Sequence, residues 1–445
     1  MISEEEKRIS AAALQTALEC GAIKARVTLN KSVENIVATL DGEIDRVTRC
    51  EDRSLELALF VDGRFGSFST NRLGDDAIRD FITKAVRLTR LMAEDAHRDL
   101  PAPDRICRNA GTGFETGIYD GSISGVTAES RLKAALDASV TGKIRDDGYT
   151  VISEEGEWSD SEYCTYITDT QGLNCMHCET VFDYGVEVTV QDKDGGKYSG
   201  YWWESKPFLK DLDLSGCGAE AVRRAAAQIG SKPSRNGRYN LVVDTEVASK
   251  MVSPVLRALN GYAIQQNDSF LMDSLGRQVF PEGLTVKDVP HIKGQTGSKL
   301  FDSEGVATRE VTVIENGIVK EYFLNTYMAS KLDMQPTQEE ATRPKVLPWP
   351  EPGLTRDDLM KKCGGGILVT DFNGGNSNSA TGDFSYGIEG FLFRNGKIVR
   401  PVSGMLVTGN FLSLWNSLVA IADDARPCLS KIVPTLAFSN LEFNG

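Results

Sequence analysis

Three histidines, His97, His177 and His291, are all that this chain offers for imidazole chemistry. The densest run of soft ligands is Cys175-Met176-His177-Cys178. A structural zinc site needs about four ligands converging from a tight turn, with a second ligand pair elsewhere. Here the run sits inside an alternating strand pattern, which turns Cys175 and His177 to one face and Cys178 to the other. No second CxxC or HxxxH completes a shell, so these read as strand residues, and the isolated His97 and His291 as surface or supporting groups.

Other candidate motifs fail on spacing. DKDGGKYSG, at residues 192–200, lacks the first glycine of a phosphate loop and has no Ser or Thr after its lysine. It also fails as a calcium loop, because Gly196 stands at the third ligand position. GDFSYG around Ser385 has Asp383 where a nucleophile elbow needs glycine. The segment GGNSNSATGDFSYGIEG reads as a loop between strands ILVTDF and GFLFRNG, or as a binding rim where small residues let a ligand approach closely. On that second reading the substrate contacts are Asp383, Gly382, Ser385 and Asn376, with Asp383 as the polar anchor.

The remaining chemistry lies in Asn240–Leu259. An apolar strand runs into Asp244, expected as an N-cap, and a helical pattern places Val247, Met251 and Val255 on one face. Pro254 is expected to kink or divide that helix. Its first turn carries Glu246, with Thr245 before it and Lys250 four residues later, and the helix has no histidine or cysteine. A carboxylate hydrolase using Glu246, Asp383 or Asp273 is a weaker option.

The elements that must position these groups follow an α+β plan. Ser3 and Glu6 form a capping box opening the first helix, which ends at Gly21. Alternating strands follow, with a tight turn at Asp62-Gly63. A second helix begins near Asp75, with Ile78, Phe81, Ile82, Val86 and Leu88 at helical spacing. Thr127 caps a helix that leads into strands around 149–158, 163–173 and 175–192, and the helix AEAVRRAAAQIG closes that unit. SKPSRNGR is the clearest linker. The expected units are 1–100, an N-terminal α+β subdomain; 118–231, a second one; and 238–445, a β-rich C-terminal domain. Antiparallel sheets flanked by helices thus precede the β-rich part.

Composition narrows the class. The chain is 41% hydrophobic and 25% charged with net charge -14 and no Lys/Arg block, a field that repels a phosphate backbone. Direct nucleic-acid binding is excluded on that ground. The acidic opening MISEEEKRIS has no apolar region of a secretory leader, and no run approaches the about 18 apolar residues of a membrane span. Nine scattered cysteines read as reduced thiols in the cytoplasm.

Several blocks carry a family resemblance. LFDSEGVATREVTVIENGIVKEYFLNTYMASKL, NDSFLMDSLGRQVF and LVTDFNGGNSNSATGDFSYGIEGFLFRNGKIVRPVSGMLVTGNFLSLW resemble, in order, blocks of the TldD/PmbA family. The likeness implies a TldD/PmbA-like fold. It further implies a cytosolic zinc metallopeptidase built from TldD-like and PmbA (TldE)-like subunits. In the TldD branch a helix carries H-E-x-x-x-H and a C-terminal Cys adds a ligand, whereas the PmbA branch lacks the zinc site. The pair is associated with peptide maturation and antitoxin degradation, hence the label modulator of DNA gyrase. Placed on this chain, the motif becomes Thr245-Glu246-Val247-Ala248-Ser249-Lys250, and a lysine ammonium repels Zn²⁺. Cys428 lies in the region of the family Cys, with a different spacing after Asp424.

The resemblance is therefore to the PmbA/TldE branch. It implies a non-catalytic subunit with no cofactor of its own, zinc in a TldD-like partner, unfolded peptides as substrates and a homo- or heterodimer. The competing reading is a homodimeric peptide-binding or scaffold protein without a peptidase partner, taking an extended peptide by strand addition.

Overall fold

The N-terminal half is one sheet with helices on one side. The computed structural model describes residues 1–144, 146 and 148–445. Helix α1 (Glu4–Glu19) opens on the capping box of Ser3 and Glu6, with both reciprocal hydrogen bonds formed. Strands β1 (Lys24–Leu40), β2 (Glu43–Val61) and β3 (Arg64–Thr70) follow, then α2 (Asp75–Thr89) and α3 (Ala128–Ala138). Next come β4 (Tyr149–Asp169), β5 (Asn174–Asp192), β6 (Lys197–Lys206) and α4 (Cys217–Ala227). Asp62 and Gly63 both take positive φ between β2 and β3, the tight turn read from the sequence. On α2, Ile78, Ile82 and Val86 are buried, but Leu88 is 43% exposed and leaves the expected apolar face.

The six strands form a single sheet in the order β3-β2-β1-β4-β5-β6. The join is β1 against β4, antiparallel from Arg26–Asp169 to Leu40–Glu155. The units expected at 1–100 and 118–231 thus meet in continuous hydrogen bonding. Odd-numbered β1 residues Val27 and Leu29 pack with Leu57, Ala13 and Ile82 under α1 and α2. Farther along the same face, Val37, Trp158, Tyr184 and Val186 pack with Ala135 of α3 and Ala221 of α4. The alternate residues, such as Thr28, Asn30, Glu157 and Asp183, point to the opposite, polar face.

One cysteine expectation is corrected. Cys164 and Cys178 stand directly opposite on β4 and β5, with Cα atoms 4.2 Å apart, and form a disulfide. Cross-strand placement brings them together, a proximity that spacing alone did not show. The other seven cysteines are free thiols.

The C-terminal part begins with β7 (Gly237–Val243), α5 (Ser249–Ala258) and α6 (Gly261–Gln265). Then come β8 (Val286–Asp288), β9 (Val311–Glu315), β10 (Ile318–Val319), α7 (Thr326–Lys331) and β11 (Pro344–Val346). It ends with α8 (Arg356–Cys363), β12 (Gly365–Asp371), β13 (Gly375–Ser377), β14 (Asp383–Arg394), β15 (Lys397–Asn410), α9 (Phe411–Trp415), β16 (Leu418–Ile421) and β17 (Leu436–Asn444). Pairings run β12–β7–β17–β15–β14 and back to β12, so five strands close on themselves. Strands β8 to β11 make a smaller sheet. A core of Val243, Met251, Val255, Ile367, Ile388, Phe411 and Phe438, among others, fills this half. Pro254 lies within an unbroken α5, contrary to the expected division.

The turn Asp302-Ser303-Glu304-Gly305 ties the halves together. Asp302 Oδ1 accepts the N–H groups of Glu304 and Val306, each at 3.0 Å. Cys107 N–H donates to Gly305 O, Ala307 N–H to Arg105 O, and Arg26 Nη1 to Glu304 O. Glu304 Oε2 accepts from Thr326 N–H, at the start of α7. Burial, with Glu304 and Glu339 close by, pushes the Asp302 carboxyl up to about 7. Among the described residues no helix is long and apolar enough to cross a membrane.

Candidate functional site

The end of β7 sets the site. Asp244 is buried and does not cap an α-helix as expected. Its Oδ1 accepts Glu246 N–H at 3.1 Å, and its carbonyl accepts Val247 N–H, closing a tight turn. Its Oδ2 takes Arg356 Nη1 at 2.8 Å. Helix α5 therefore starts later, at Ser249, with Ala248 as its cap. Met251 and Val255 are buried in the core, and Val247 packs against it.

That geometry separates the three residues that the sequence resemblance places at the motif positions. Thr245 Oγ1 donates to Val433 O at 2.8 Å. Lys250, in the first turn of α5, holds its ammonium 5.2 Å from the Tyr386 ring centroid. Glu246 Oε2 accepts Arg426 Nη1 at 2.8 Å, with side-chain exposures of 9% and 16%. The three side chains reach three different partners.

Arg426 is the residue that sequence reasoning missed. Its Nη2 donates to Trp203 O at 3.1 Å and to Glu204 Oε1 at 3.0 Å. Its guanidinium carbon lies 4.5 Å from the Trp202 ring centroid and 4.6 Å from that of Trp203. One guanidinium thus satisfies two carboxylates and a carbonyl while packed by two indoles, an arrangement suited to its planar fork. The pin crosses from the C-terminal half to the edge strand β6. The doublet Trp202-Trp203 beside Glu204 was the available signal; its partner lies more than two hundred residues away. Burial raises the Glu246 carboxyl, against the pull of Arg426.

These donors do not fit a zinc ion. Two of the positions where the resemblance puts ligands hold a hydroxyl and an ammonium, and Glu246 is already paired with a guanidinium. Burial pushes the Cys428 thiol up, away from the thiolate that a metal needs. No histidine is near: His97 bonds Ser330, His177 bonds Glu179 and His291 bonds Thr308. Among the described residues no group of three His, Cys, Asp or Glu could hold a metal. In the Cys175–Cys178 run, all four residues are buried strand positions.

The small-residue segment is more ordered than a loop. Asn376 sits on β13, opposite Ser385 on β14. Asp383 opens β14 rather than lying in a loop, and it accepts from Asn410 Nδ2 at 2.9 Å and Thr381 Oγ1 at 2.8 Å. Those two donors hold its carboxyl below the usual range. Gly382 has φ +79° and lies against the Phe270 ring, so it serves a tight corner. Asp383, Gly382, Ser385 and Asn376 thus share one corner. Lys250, in the first turn of α5, lies over Tyr386, the residue after Ser385.

Models of the PmbA/TldA metallopeptidase match in three pieces: domain 1 at residues 25–89, the central domain at 123–229 and the C-terminal domain at 236–445. The chain belongs to the PmbA/TldD metallopeptidase family. Among its relatives, the Metalloprotease PmbA of Escherichia coli O157:H7 is 26% identical, covering 97% of this chain and 96% of that one. A crystal structure from Bacteroides thetaiotaomicron VPI-5482, named as a candidate modulator of DNA gyrase, is 35% identical with TM-score 0.93 and full coverage of both chains. TldE from Thermococcus kodakarensis shares the fold, with TM-score 0.83 at 18% identity over 98% of this chain and 100% of that one. Relatives named TldD homologs match as well. The chain is thus a PmbA/TldE-like member of a metalloprotease family that also contains TldD homologues.

Proposed function

We propose that this chain is the non-catalytic, PmbA/TldE-type subunit of a two-subunit cytoplasmic zinc metallopeptidase acting on unfolded peptides. Hydrolysis and the zinc ion belong to a TldD-like partner. This chain shapes the peptide path, with the Asp383–Ser385 corner among its contacts. Peptide maturation and antitoxin degradation, with gyrase affected only indirectly, are the matching roles. The observation that carries the proposal is the Arg426–Glu246 pair: the glutamate in the motif is held by a guanidinium and is not free to activate water. The test is a zinc assay on the purified chain and a peptidase assay with and without a TldD-like partner. No stoichiometric zinc and activity only with the partner are expected. Zinc in the chain alone, with cleavage lost in Glu246→Gln, overturns the proposal.

The scaffold reading retains one specific support. Strand β13 is a short, exposed edge that among the described residues pairs only along β14, and it could accept an extended peptide by strand addition. Affinity purification that recovers no H-E-x-x-x-H chain from the source cell favours it.

A further inference from the structure

The polar face of the N-terminal sheet holds a groove of about 740 Å³ beside the Arg426 pin. Trp203 and Glu204 line the groove and also hold Arg426, so the groove ends at the site described above. Its charge is one-sided. Glu157 pairs with Arg46 at 3.2 Å, and Glu204 pairs with Arg426. Asp45, Glu155, Asp183 and Glu187 have no Lys or Arg within 4.0 Å among the described residues.

Two features give this cluster a cost that the fold does not need. Glu155 and Glu187 stand directly opposite across β4 and β5, where like charges destabilise a sheet. Asp183 lies between the Ser159 and Ser205 positions of the neighbouring strands, and burial raises its carboxyl with no counter-cation nearby among the described residues. The wall on β6 is aromatic: Tyr201, opposite Glu187, is 53% exposed, and Trp203 follows two residues on. Carboxylates around exposed aromatic faces match a cationic side chain, which gains from both.

We infer that this groove is a subsite for a lysine or arginine side chain of an extended peptide. The inference rests on the peptide-handling role proposed above and names the substrate chemistry that the role prefers. A bound cation relieves the Glu155–Glu187 repulsion and lies against Tyr201. The side of the peptide facing β6 then runs toward Trp203 and the pinned glutamate.

The test uses the full chain and labelled unstructured peptides of one length, carrying lysine, norleucine or glutamate at the same positions. Fluorescence anisotropy reads the affinities. The lysine peptide is expected to bind about tenfold more tightly than the norleucine peptide, with the difference shrinking at high salt. Glu155→Gln/Glu187→Gln is expected to fold with unchanged or higher Tm, to keep its norleucine affinity and to lose most of the lysine preference. Tyr201→Ala is expected to lose part of it. Equal binding of lysine and norleucine peptides, or a preference that survives in the double variant, overturns the inference and leaves the peptide-handling role standing. Binding of no peptide, with or without a TldD-like partner, overturns both.

Discussion

Arg426 and Glu246 are joined 2.8 Å apart across 180 residues of sequence, largely out of water. Glu246 is half of a bond that also anchors the N-terminal sheet, because the same guanidinium reaches Trp203 and Glu204. Glu246 is thereby tied into the junction between the two halves of the chain.

Removing Arg426 should be costly. Arg426→Ala leaves Glu246 buried without its cation and empties the space between two indoles. Breaking such a pair costs about 3–5 kcal/mol, whereas replacing both partners with packed apolar side chains costs far less. Arg426→Ala is therefore expected to lower Tm by several degrees, and Arg426→Met/Glu246→Leu to recover most of the loss, by calorimetry. Equal Tm values for the single variant and the parent chain would show that the pair does not stabilise the junction.

Much of the local structure was legible. The capping box at Ser3 and Glu6, the Asp62-Gly63 turn and the Thr127 cap depend on residues within a few positions, and each formed. What escaped was long-range. The pairing of β1 with β4 joined two expected units, because a strand pattern states which residues face inward but not which strand lies beside it. Cys164 and Cys178 became neighbours only through the β4–β5 register. Asp244 looked like an N-cap by type, yet its carboxylate had Arg356 as a second partner and served a turn instead. Arg426 carried no local motif at all.

The close fit at the C-terminal ring gives a second prediction. Gly366 on β12 pairs with Asn240 of β7, and a Cβ there would collide with the Asn240 carbonyl and press on the Phe393 ring. Because β12 closes the ring through β7 and β14, its backbone has little room to yield. Gly366→Ala is expected to destabilise the chain by about 1–3 kcal/mol, seen as a lower urea midpoint.

Asp302 gives a pH prediction with a definite sign. Unfolded, an aspartate titrates at about 3.9; folded, this one is raised to about 7. Between those values the folded chain binds more protons than the unfolded one. Stability due to Asp302 is therefore fully present below about pH 4, falls as pH rises to about 7, and is then constant. Asp302→Asn removes the proton uptake while its amide oxygen can still accept the Glu304 and Val306 N–H groups. Urea midpoints measured from pH 4.5 to 8 should fall less steeply in the variant than in the parent chain. Parallel curves would show that Asp302 titrates in its ordinary range.

The last prediction concerns restoring the motif. Thr245→His/Lys250→His recreates the letters H-E-x-x-x-H but not the geometry. Position 245 lies in the turn ahead of α5, where its side chain is directed at Val433 O, while position 250 faces Tyr386. Two imidazoles bind one metal when a helix places both on one face, and here only the second belongs to the helix. Arg426 also keeps Glu246 and places a positive charge beside any incoming cation. The double variant is expected to bind no stoichiometric zinc by elemental analysis and to cleave no peptide. Adding Arg426→Ala removes the charge but not the turn, so zinc should still be weak and activity absent. Stoichiometric zinc in the double variant would mean that the turn refolds into helix once the ligands are supplied. The limit would then have been the side chains alone, and not the place where α5 begins.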